Sequence, residues 1–261
     1  MKVSIITTTL NSEKTIESTI LSIINQTYKN IEYIIIDGCS SDSTLSIISK
    51  YIDHLSYFKS ARDENLYDGM NKGIDVSSGD IIGIVNSDDF LEEDAVEKIV
   101  NFFFRHNCDA VHGNLRVIKD FDEKSEILRP RNYFFAKYIS LPIYHPTLFV
   151  KREIYRSIGS YNISYPHLAD YDFYLRLINN KNNILYLNEL ISNMRSGGIS
   201  DRVDNFSNLI SESNKIKKRN DLNYFLSAIG QIIHISRFKI YRTMKFFNLN
   251  FLIKIYRKLK Y

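Results

Sequence analysis

Gly79-Asp80-Ile81-Ile82-Gly83-Ile84-Val85-Asn86-Ser87-Asp88-Asp89 is an apolar run closed by two adjacent carboxylates. Led in by Ser77-Ser78-Gly79-Asp80, so short and apolar a run reads as a strand buried on both faces, the habit of a central parallel sheet. Asp88 and Asp89 then stand at its C-terminal edge, where open α/β sheets bind their ligands. Two readings follow. The pair can hold a cation, or it can form a turn and helix cap, since Glu92-Glu93-Asp94 places more acids ahead of the next helix.

Upstream, Val3 to Thr7 is a β-branched, apolar first strand. Asn11-Ser12-Glu13 supplies cap chemistry for a helix with Ile16, Ile20, Ile23 and Ile24 on one face, ending near Gln26. Ile31 to Ile36 is a second buried strand, closed by the turn-forming Asp37-Gly38-Cys39-Ser40-Ser41-Asp42-Ser43, and Leu45, Ile48 and Ile52 recur at helical spacing. Strand, helix, strand, helix is the βαβ pattern of a parallel sheet. A weaker strand at Tyr57-Phe58 precedes the polar stretch from Asp63 to Gly73, a loop running into a short helix.

Downstream, Ala95, Val96, Ile99, Val100 and Phe103 mark a helix, and Asp109 to Gly113 starts another strand. No Gly-x-Gly-x-x-Gly or Walker loop follows any strand, which argues against the usual dinucleotide and ATP sites. Beyond about Leu115 the pattern loosens into aromatic clusters (Tyr133, Phe134, Phe135, Tyr138) and Tyr144-His145-Pro146-Thr147, better suited to shaping a pocket. A helix over Ala169–Ile178, a strand at Ile184–Leu187 and a Gly-rich loop, Arg195-Ser196-Gly197-Gly198-Ile199-Ser200, follow.

With 261 residues, 44% hydrophobic and 25% charged, the chain is long enough for a sizeable core. Cys39 and Cys108 fit no metal-ligand spacing and form no disulfide framework, so a reducing cytoplasm is expected. The N-terminus reads as a strand rather than a signal peptide, and no uncharged stretch reaches membrane-spanning length. The net charge of +4 is unevenly spread: residues 215–261 hold 12 Lys/Arg against one acid, Asp221, a net +11. Residues 1–214 are left with 22 basic and 29 acidic groups, a net −7.

The ordered set Ser4-Ile5-Ile6-Thr7…Asn11, Gln26-Thr27-Tyr28, Ile35-Ile36-Asp37-Gly38-x-Ser40-x-Asp42-x-Thr44, Tyr67-Asp68-Gly69-Met70-Asn71-Lys72-Gly73, Gly79-Asp80-Ile81-Ile82, Asn86-Ser87-Asp88-Asp89 and Ala169-Asp170-Tyr171-Asp172 resembles the family 2 glycosyltransferases over roughly residues 3–200. The resemblance implies an α/β GT-A fold: a Rossmann-like, mostly parallel central sheet flanked by helices, here with a C-terminal helical extension. Residues 1–115 would be the nucleotide-sugar-binding half, 116–214 the acceptor half of the same domain, and 215–261 a basic amphipathic tail. It implies inverting transfer from a nucleotide-sugar donor, with a UDP-sugar expected, to a glycan or lipid-linked acceptor of the cell surface. Mn²⁺ or Mg²⁺ would assist. By residue, Thr7, Thr9 and Asp37 match nucleoside contacts, with Asp37 suited to accept from a uracil N3–H. Asn71, Lys72 and Ser87 fall in motifs that face the donor. Asp88 and Asp89 match the metal-binding motif, Asp89 as direct ligand and Asp88 nearer the ribose or the metal's water, and Asp170 matches the catalytic base. Three positions depart from the pattern: Thr8 replaces the usual Pro, Leu10 the usual aromatic, and Asn86 an Asp of many relatives.

The same residues carry alternatives. Asp37 can be a turn former and Asp170 an N-cap. Asp172 and Arg176 are four apart in the acid-first order of a surface ion pair, and Asp170 points about 200° away from Asp172 at ~100° per residue. Lys72 and Arg62 can approach a diphosphate or be solvated; His145 can line the acceptor side or be a buried structural histidine. Arg195 ahead of Gly197-Gly198 can close over phosphates or simply end a strand.

In the tail, Leu222 to Ser236 lacks formal charge and is too short to span a bilayer; Arg237, Lys239, Arg242 and Lys245 then alternate with aromatic and aliphatic residues. That mixture points to an anionic membrane surface, with peripheral attachment to the inner face of the plasma membrane, rather than to nucleic acid, whose motifs are missing. The alternative is a tail that packs on its own body or on a second subunit. Two other functions compete with transfer: a sugar-nucleotide nucleotidyltransferase, although Thr7-Thr8-Thr9-Leu10-Asn11 lacks the Gly-rich basic loop it needs, and a non-catalytic sugar-nucleotide or glycan-binding module.

Overall fold

The computed structural model describes residues 1–119, 122–130, 137–139, 143–195 and 206–246. The expected first strand forms β1 (Val3–Thr9), buried along its whole length. It pairs in parallel with β2 (Ile31–Asp37) on one side and β4 (Ile81–Ile84) on the other, and β3 (Tyr57–Ser60) extends the parallel block beyond β2. Among the described residues the sheet has nine strands, in the order β3-β2-β1-β4-β8-β6-β9-β5, with β7 (Asp122–Leu128) on β6 (Ala110–Lys119). β8 (Phe149–Lys151) enters antiparallel between β4 and β6, which restores the common direction to β6 and to its parallel partner β9 (Ile184–Arg195). Only β8, β7 and β5 (Asp89–Leu91) run against the rest.

Side-chain alternation along β1 divides the core. Val3 and Ile5 pack with Ile16, Ile20 and Ile23 of α1 (Ile16–Ile24), Ile48 of α2 (Thr44–Ser49), and Val96, Ile99 and Phe103 of α4 (Ala95–Arg105). Ile6 faces the opposite cluster. There it joins Met70 and Ile74 of α3 (Leu66–Val76) and, from the second half, Ile154 and Tyr155 of α5 (Arg152–Ile158) and Phe173, Tyr174 and Leu177 of α6 (Ala169–Asn179). Close approach requires glycine at two points. A Cβ on Gly73 would lie 2.4 Å from Ile6, and one on Gly83 would lie 2.4 Å from the Phe149 ring.

The second half holds more structure than the sequence pattern showed. β9 was expected over only Ile184–Leu187, yet it runs to Arg195, because register shifts against β6 near His112 and Asn114 break its alternation midway. α7 (Phe206–Arg219) and α8 (Tyr224–Phe246) follow. The expected boundary at residue 215 falls inside α7, whose Glu212, Ile216, Lys217 and Asn220 just beyond it are all buried. The aromatics Tyr133, Phe134 and Phe135, the Gly197-Gly198 loop and the end of the tail lie outside the described residues.

A buried carboxylate ties down the sheet's N-terminal edge. Glu32 of β2 accepts from Lys2 Nζ at 2.7 Å, Ser4 Oγ at 2.5 Å, and the amide and hydroxyl of Ser78 at 2.7 and 2.6 Å. Burial by itself would raise this carboxyl. The bonds from Lys2, Ser4 and Ser78 together outweigh it and hold the group at about 2, against an ordinary 4.5. A depressed carboxylate stabilises the fold above its unfolded value, and that contribution is lost as pH falls from 4.5 through about 2. Glu32→Gln is expected to lower unfolding free energy at pH 7 by about 1–2 kcal/mol after solvent screening. Urea titrations should show the gap to the unsubstituted protein closing across that acid window.

Candidate active site

The parallel registers of β2, β1 and β4 bring three loops together at the sheet's C-terminal edge. The loops are stitched to one another. Gly38 N–H donates to the Thr9 carbonyl at 2.9 Å, Asn11 N–H to Ser40 Oγ at 2.8 Å, Ser41 N–H to Asn11 Oδ1 at 2.8 Å, and Ser12 and Ser87 share a hydroxyl bond of 2.8 Å. Asn11 and Cys39 adopt left-handed φ values of 51° and 68°, strain held in place by this cross-stitching. Two departures from the expected pattern meet here: the hydroxyl of Thr8 donates to Asn86 Oδ1 at 3.4 Å.

The residues expected to bind a donor divide into free and committed groups. Thr9 Oγ1 is buried without a partner. Asp37 lies beside it in register; its carboxylate takes Ser40 N–H at 3.0 Å and Ser60 Oγ at 2.6 Å on Oδ2, and Ser40 Oγ on Oδ1. A carboxylate has about four acceptor sites, so Oδ1 retains one. Thr7, by contrast, turns into the core and accepts from Tyr33 Oη at 3.2 Å, because its place in β1 puts it on the α1 face. Asn71 is spent in a two-way bond with the Tyr161 backbone, at 2.8 and 2.9 Å. Lys72 is held by Asp63 at 2.6 Å and Asp68 at 2.9 Å, and Ser87 by Ser12. The polar atoms of these four are bonded within the protein.

Asp88 ends the turn between β4 and β5, and Asp89 opens β5. Thr19 of α1 pins that turn by donating to the carbonyls of Ser87 at 3.0 Å and Asp89 at 2.6 Å. The Asp89 side chain is only 2% exposed, and its Oδ1 is buried without a partner, whereas Asp88 is more open. Burial raises both carboxyls, Asp89 well above its ordinary value; the charge of Asp88 pushes Asp89 further, and Arg195 opposes the shift in each. Arg195, at the end of β9, donates to the Asp88 carbonyl and to Ser18 Oγ, both at 2.9 Å, and lies over the Phe90 ring. It therefore braces the turn without neutralising either carboxylate by direct contact. Among the described residues no group of three or more His, Cys, Asp or Glu side chains could hold a metal. Two adjacent hard oxygen donors with an unused buried lone pair suit a divalent ion that draws its remaining ligands from water and phosphate.

Asp170 stands in the first turn of α6 as expected, with its own set of partners. Its Oδ1 accepts from Tyr67 Oη at 3.1 Å and from the Tyr171 amide at 2.8 Å. Burial raises its pKa, partly offset by His145, the Tyr171 amide and Tyr67. His145 shares a 2.9 Å bond with Tyr161 Oη; burial lowers its pKa and Asp170 acts in the opposite sense. Tyr67 connects this cluster to the sheet edge. A Cβ on Gly69, one helical step from it in α3, would come within 3.3 Å of the Thr8 methyl, so the start of α3 lies against the end of β1. Asp172 takes no part: it is 0% exposed, paired with Arg176 Nε at 2.8 Å and with Asn220 Nδ2 at 3.1 Å. The expected ion pair thus exists but is buried, because the guanidinium also satisfies the carbonyls of Ile158, Gly159 and Ser160.

The sequence profile described as "Glycosyl transferase family 2" matches residues 4–159. The chain belongs to that family. An uncharacterized glycosyltransferase of Haemophilus influenzae is 30% identical over 240 residues, covering 89% of this chain and 94% of its own. A PGL/p-HBAD biosynthesis glycosyltransferase of Mycobacterium tuberculosis is 28% identical over 214 residues, 77% of this chain and 79% of that one. S. aureus TarS 1–349 in complex with UDP-GlcNAc superposes with a TM-score of 0.67 at 19% identity, over 90% of this chain and 72% of the other, which establishes the GT-A-like fold. The present chain spans 41% of the longer TarS chain. The mannosyltransferase PcManGT from Pyrobaculum calidifontis, in complex with GDP-Man and Mn²⁺, gives a TM-score of 0.58 at 17% identity over 81% of this chain and 60% of that one.

Tyr67 was not singled out from sequence, since its partner lies 103 residues away and only the fold joins them. Removing a hydroxyl that stabilises the ionised carboxylate should raise Asp170 further. Tyr67→Phe is expected to move its titration upward, read by carboxyl-carbon NMR.

Proposed function

We propose that this family 2 glycosyltransferase moves a sugar, with inversion, from a UDP-sugar to a glycan or lipid-linked acceptor in cell-surface polysaccharide synthesis. The carrying observation is that a buried, unpartnered carboxylate oxygen of Asp89 stands beside Asp88, while Asp170 bonds Tyr67 of α3, whose Gly69 lies against Thr8, the partner of Asn86 in the same turn region. Support for the donor class comes from the remaining acceptor site on Asp37 beside the unpartnered Thr9 hydroxyl, and from neighbours whose names include UDP, UDP-GlcNAc and GDP-Man. The mycobacterial relative's name, with its biosynthetic role, supports an envelope glycan.

Asp88 and Asp89 would hold Mn²⁺ or Mg²⁺, which supplies positive charge to the departing diphosphate. The protein's own part is to place donor and acceptor and to take one proton. As the acceptor oxygen bonds to the anomeric carbon, the bond from that carbon to the phosphate oxygen breaks, and the nucleoside diphosphate leaves with the electron pair. The acceptor's proton passes to Asp170 Oδ2, which among the described residues has no protein partner. Its raised pKa makes it a stronger base than an exposed aspartate, while it stays ionised above that raised value.

The basic tail supports an anionic membrane as surface partner. No helix among the described residues is long and apolar enough to cross a membrane. On α8, Phe225, Ile229, Ile232 and Ile240 recur along one face and are exposed, Phe225 at 71% and Ile232 at 64%, in a segment of net +11.

Asp89→Ala and Asp170→Asn are each expected to cut transfer by about 10²–10⁴-fold, the second with nucleotide affinity kept. The assay is a panel of UDP-, GDP- and dTDP-sugars with Mn²⁺, with release of nucleoside diphosphate followed. Nucleotidyl transfer, or binding without turnover, would replace this reading by one of its rivals, and full transfer by Asp170→Asn would remove the base assignment. For the tail, flotation with phosphatidylserine vesicles should be salt-sensitive and weakened by Phe225→Ser with Ile232→Ser. Undiminished flotation of that double variant would leave the helix packed for some other purpose.

A further inference from the structure

Helix α6 begins at Ala169, and Leu168 at its N-cap offers no side chain to the free amides of the first turn. α7 instead ties down the two residues that lead into the helix. Glu212, buried, takes the His167 amide at 3.0 Å and the Leu168 amide at 2.7 Å on the single oxygen Oε1. The carbonyl of His167 belongs to the same peptide group as the Leu168 amide, and it accepts from Tyr67 Oη at 3.2 Å. One peptide, two residues before Asp170, is therefore held at its N–H by Glu212 and at its C=O by the hydroxyl that also bonds Asp170. α7 grips the same helix again further along, through Asn220 on Asp172 at 3.1 Å and Asn179 on the Asn220 carbonyl at 3.0 Å.

We propose that Glu212 is a positioning residue for transfer: by fixing the His167–Leu168 peptide it aims Asp170 and the Tyr67 hydroxyl at the acceptor. The inference rests on Asp170 being the base. Glu212 lies beyond residue 159, where the family match stops, and nothing in its sequence neighbourhood marks it. Among the described residues, the groups facing Asp170 are Tyr67 from α3, His145 from the 3-10 turn His145–Thr147, Tyr161 from the loop before α6, and Glu212 itself near Tyr67. Loss of Glu212 would leave the first three in place but free the peptide that aligns them.

The test compares Glu212→Ala with Glu212→Gln in the full chain. An amide oxygen accepts the same two N–H groups, so Glu212→Gln should keep kcat within about 3-fold of the unsubstituted protein, whereas Glu212→Ala should lower it ~10–100-fold with donor KM little changed. The acidic limb of the pH–rate profile should move in the alanine variant only. Hydrogen exchange of the peptide spanning residues 165–171 should quicken in Glu212→Ala and not in Glu212→Gln, a readout that needs no turnover. If the unsubstituted protein shows no transfer, the reading of Asp170 fails while exchange still decides whether Glu212 holds this turn. Unchanged kcat and exchange in Glu212→Ala, or a glutamine variant as impaired as the alanine one, would overturn the proposal. Should Glu212→Ala fail to fold, Glu212→Asp, which withdraws the acceptor by one methylene, carries the same comparison.

Discussion

All residues of β1 are shut away from solvent between β2 and β4, with helices covering both faces. A strand so placed has room for polar chemistry only where it leaves the sheet. Thr9, the last residue of β1, lies opposite Asp37, the last residue of β2, and Ser87 after β4 donates its amide to the Thr8 carbonyl at 3.3 Å. Parallel pairing therefore does more than build a core: it forces three strand ends to the same edge, where ligand groups can converge. The short bonds among Asn11, Ser12, Ser40 and Ser87 then fix loops that would otherwise each find their own conformation.

The protein treats its buried carboxylates in two ways. Glu32, Asp37 and Asp172 each receive several donors, which is how a folded chain ordinarily meets the cost of removing charge from water. Asp89 receives none on Oδ1 and sits next to a second carboxylate. The nearby cation, Arg195, uses its guanidinium on a carbonyl and a hydroxyl instead. A fold able to satisfy Asp172 with Arg176 and Asn220 has the means to satisfy Asp89. Under the proposed function, that unsatisfied oxygen is one that an incoming cation would satisfy.

How far the sequence foretold this differs between the halves, for a physical reason. Val3–Thr7, Ile31–Ile36 and Ile81–Val85 are legible because strands buried on both faces are apolar throughout, and α1 and α4 because their apolar residues keep a helical period. β7, with its Asp, Glu and Lys, and β9, with its register shifts, show neither signature. Asp37, Asp88, Asp89 and Asp170 are candidates on which chemistry and local motif coincide. Residues of one motif differ in what they touch. Asn71 and Lys72 share a motif with Tyr67, yet their polar atoms hold the Tyr161 backbone and the Asp63–Asp68 pair, while Tyr67 reaches Asp170.

The least legible boundary is the one between body and tail. Charge alone divides the chain near residue 215, but α7 runs through that point. Ile216 is fully buried, Lys217 Nζ donates to the Tyr138 carbonyl at 2.7 Å, and burial lowers its pKa to about 8. Burying an amine that makes a carbonyl contact costs more than leaving it in water, so Lys217 is held there by the packing around it. α8 also rests on the body: a Cβ on Gly230 would stand 2.2 Å from the Tyr138 carbonyl. Charge and packing therefore do not divide the chain at the same place. α7 belongs with the helix that carries Asp170, and the apolar stripe of α8 is presented from a base anchored to the same core. Truncation before Asn220 would remove core residues along with charge, which is why point changes on the exposed stripe, rather than deletion, separate surface attachment from folding.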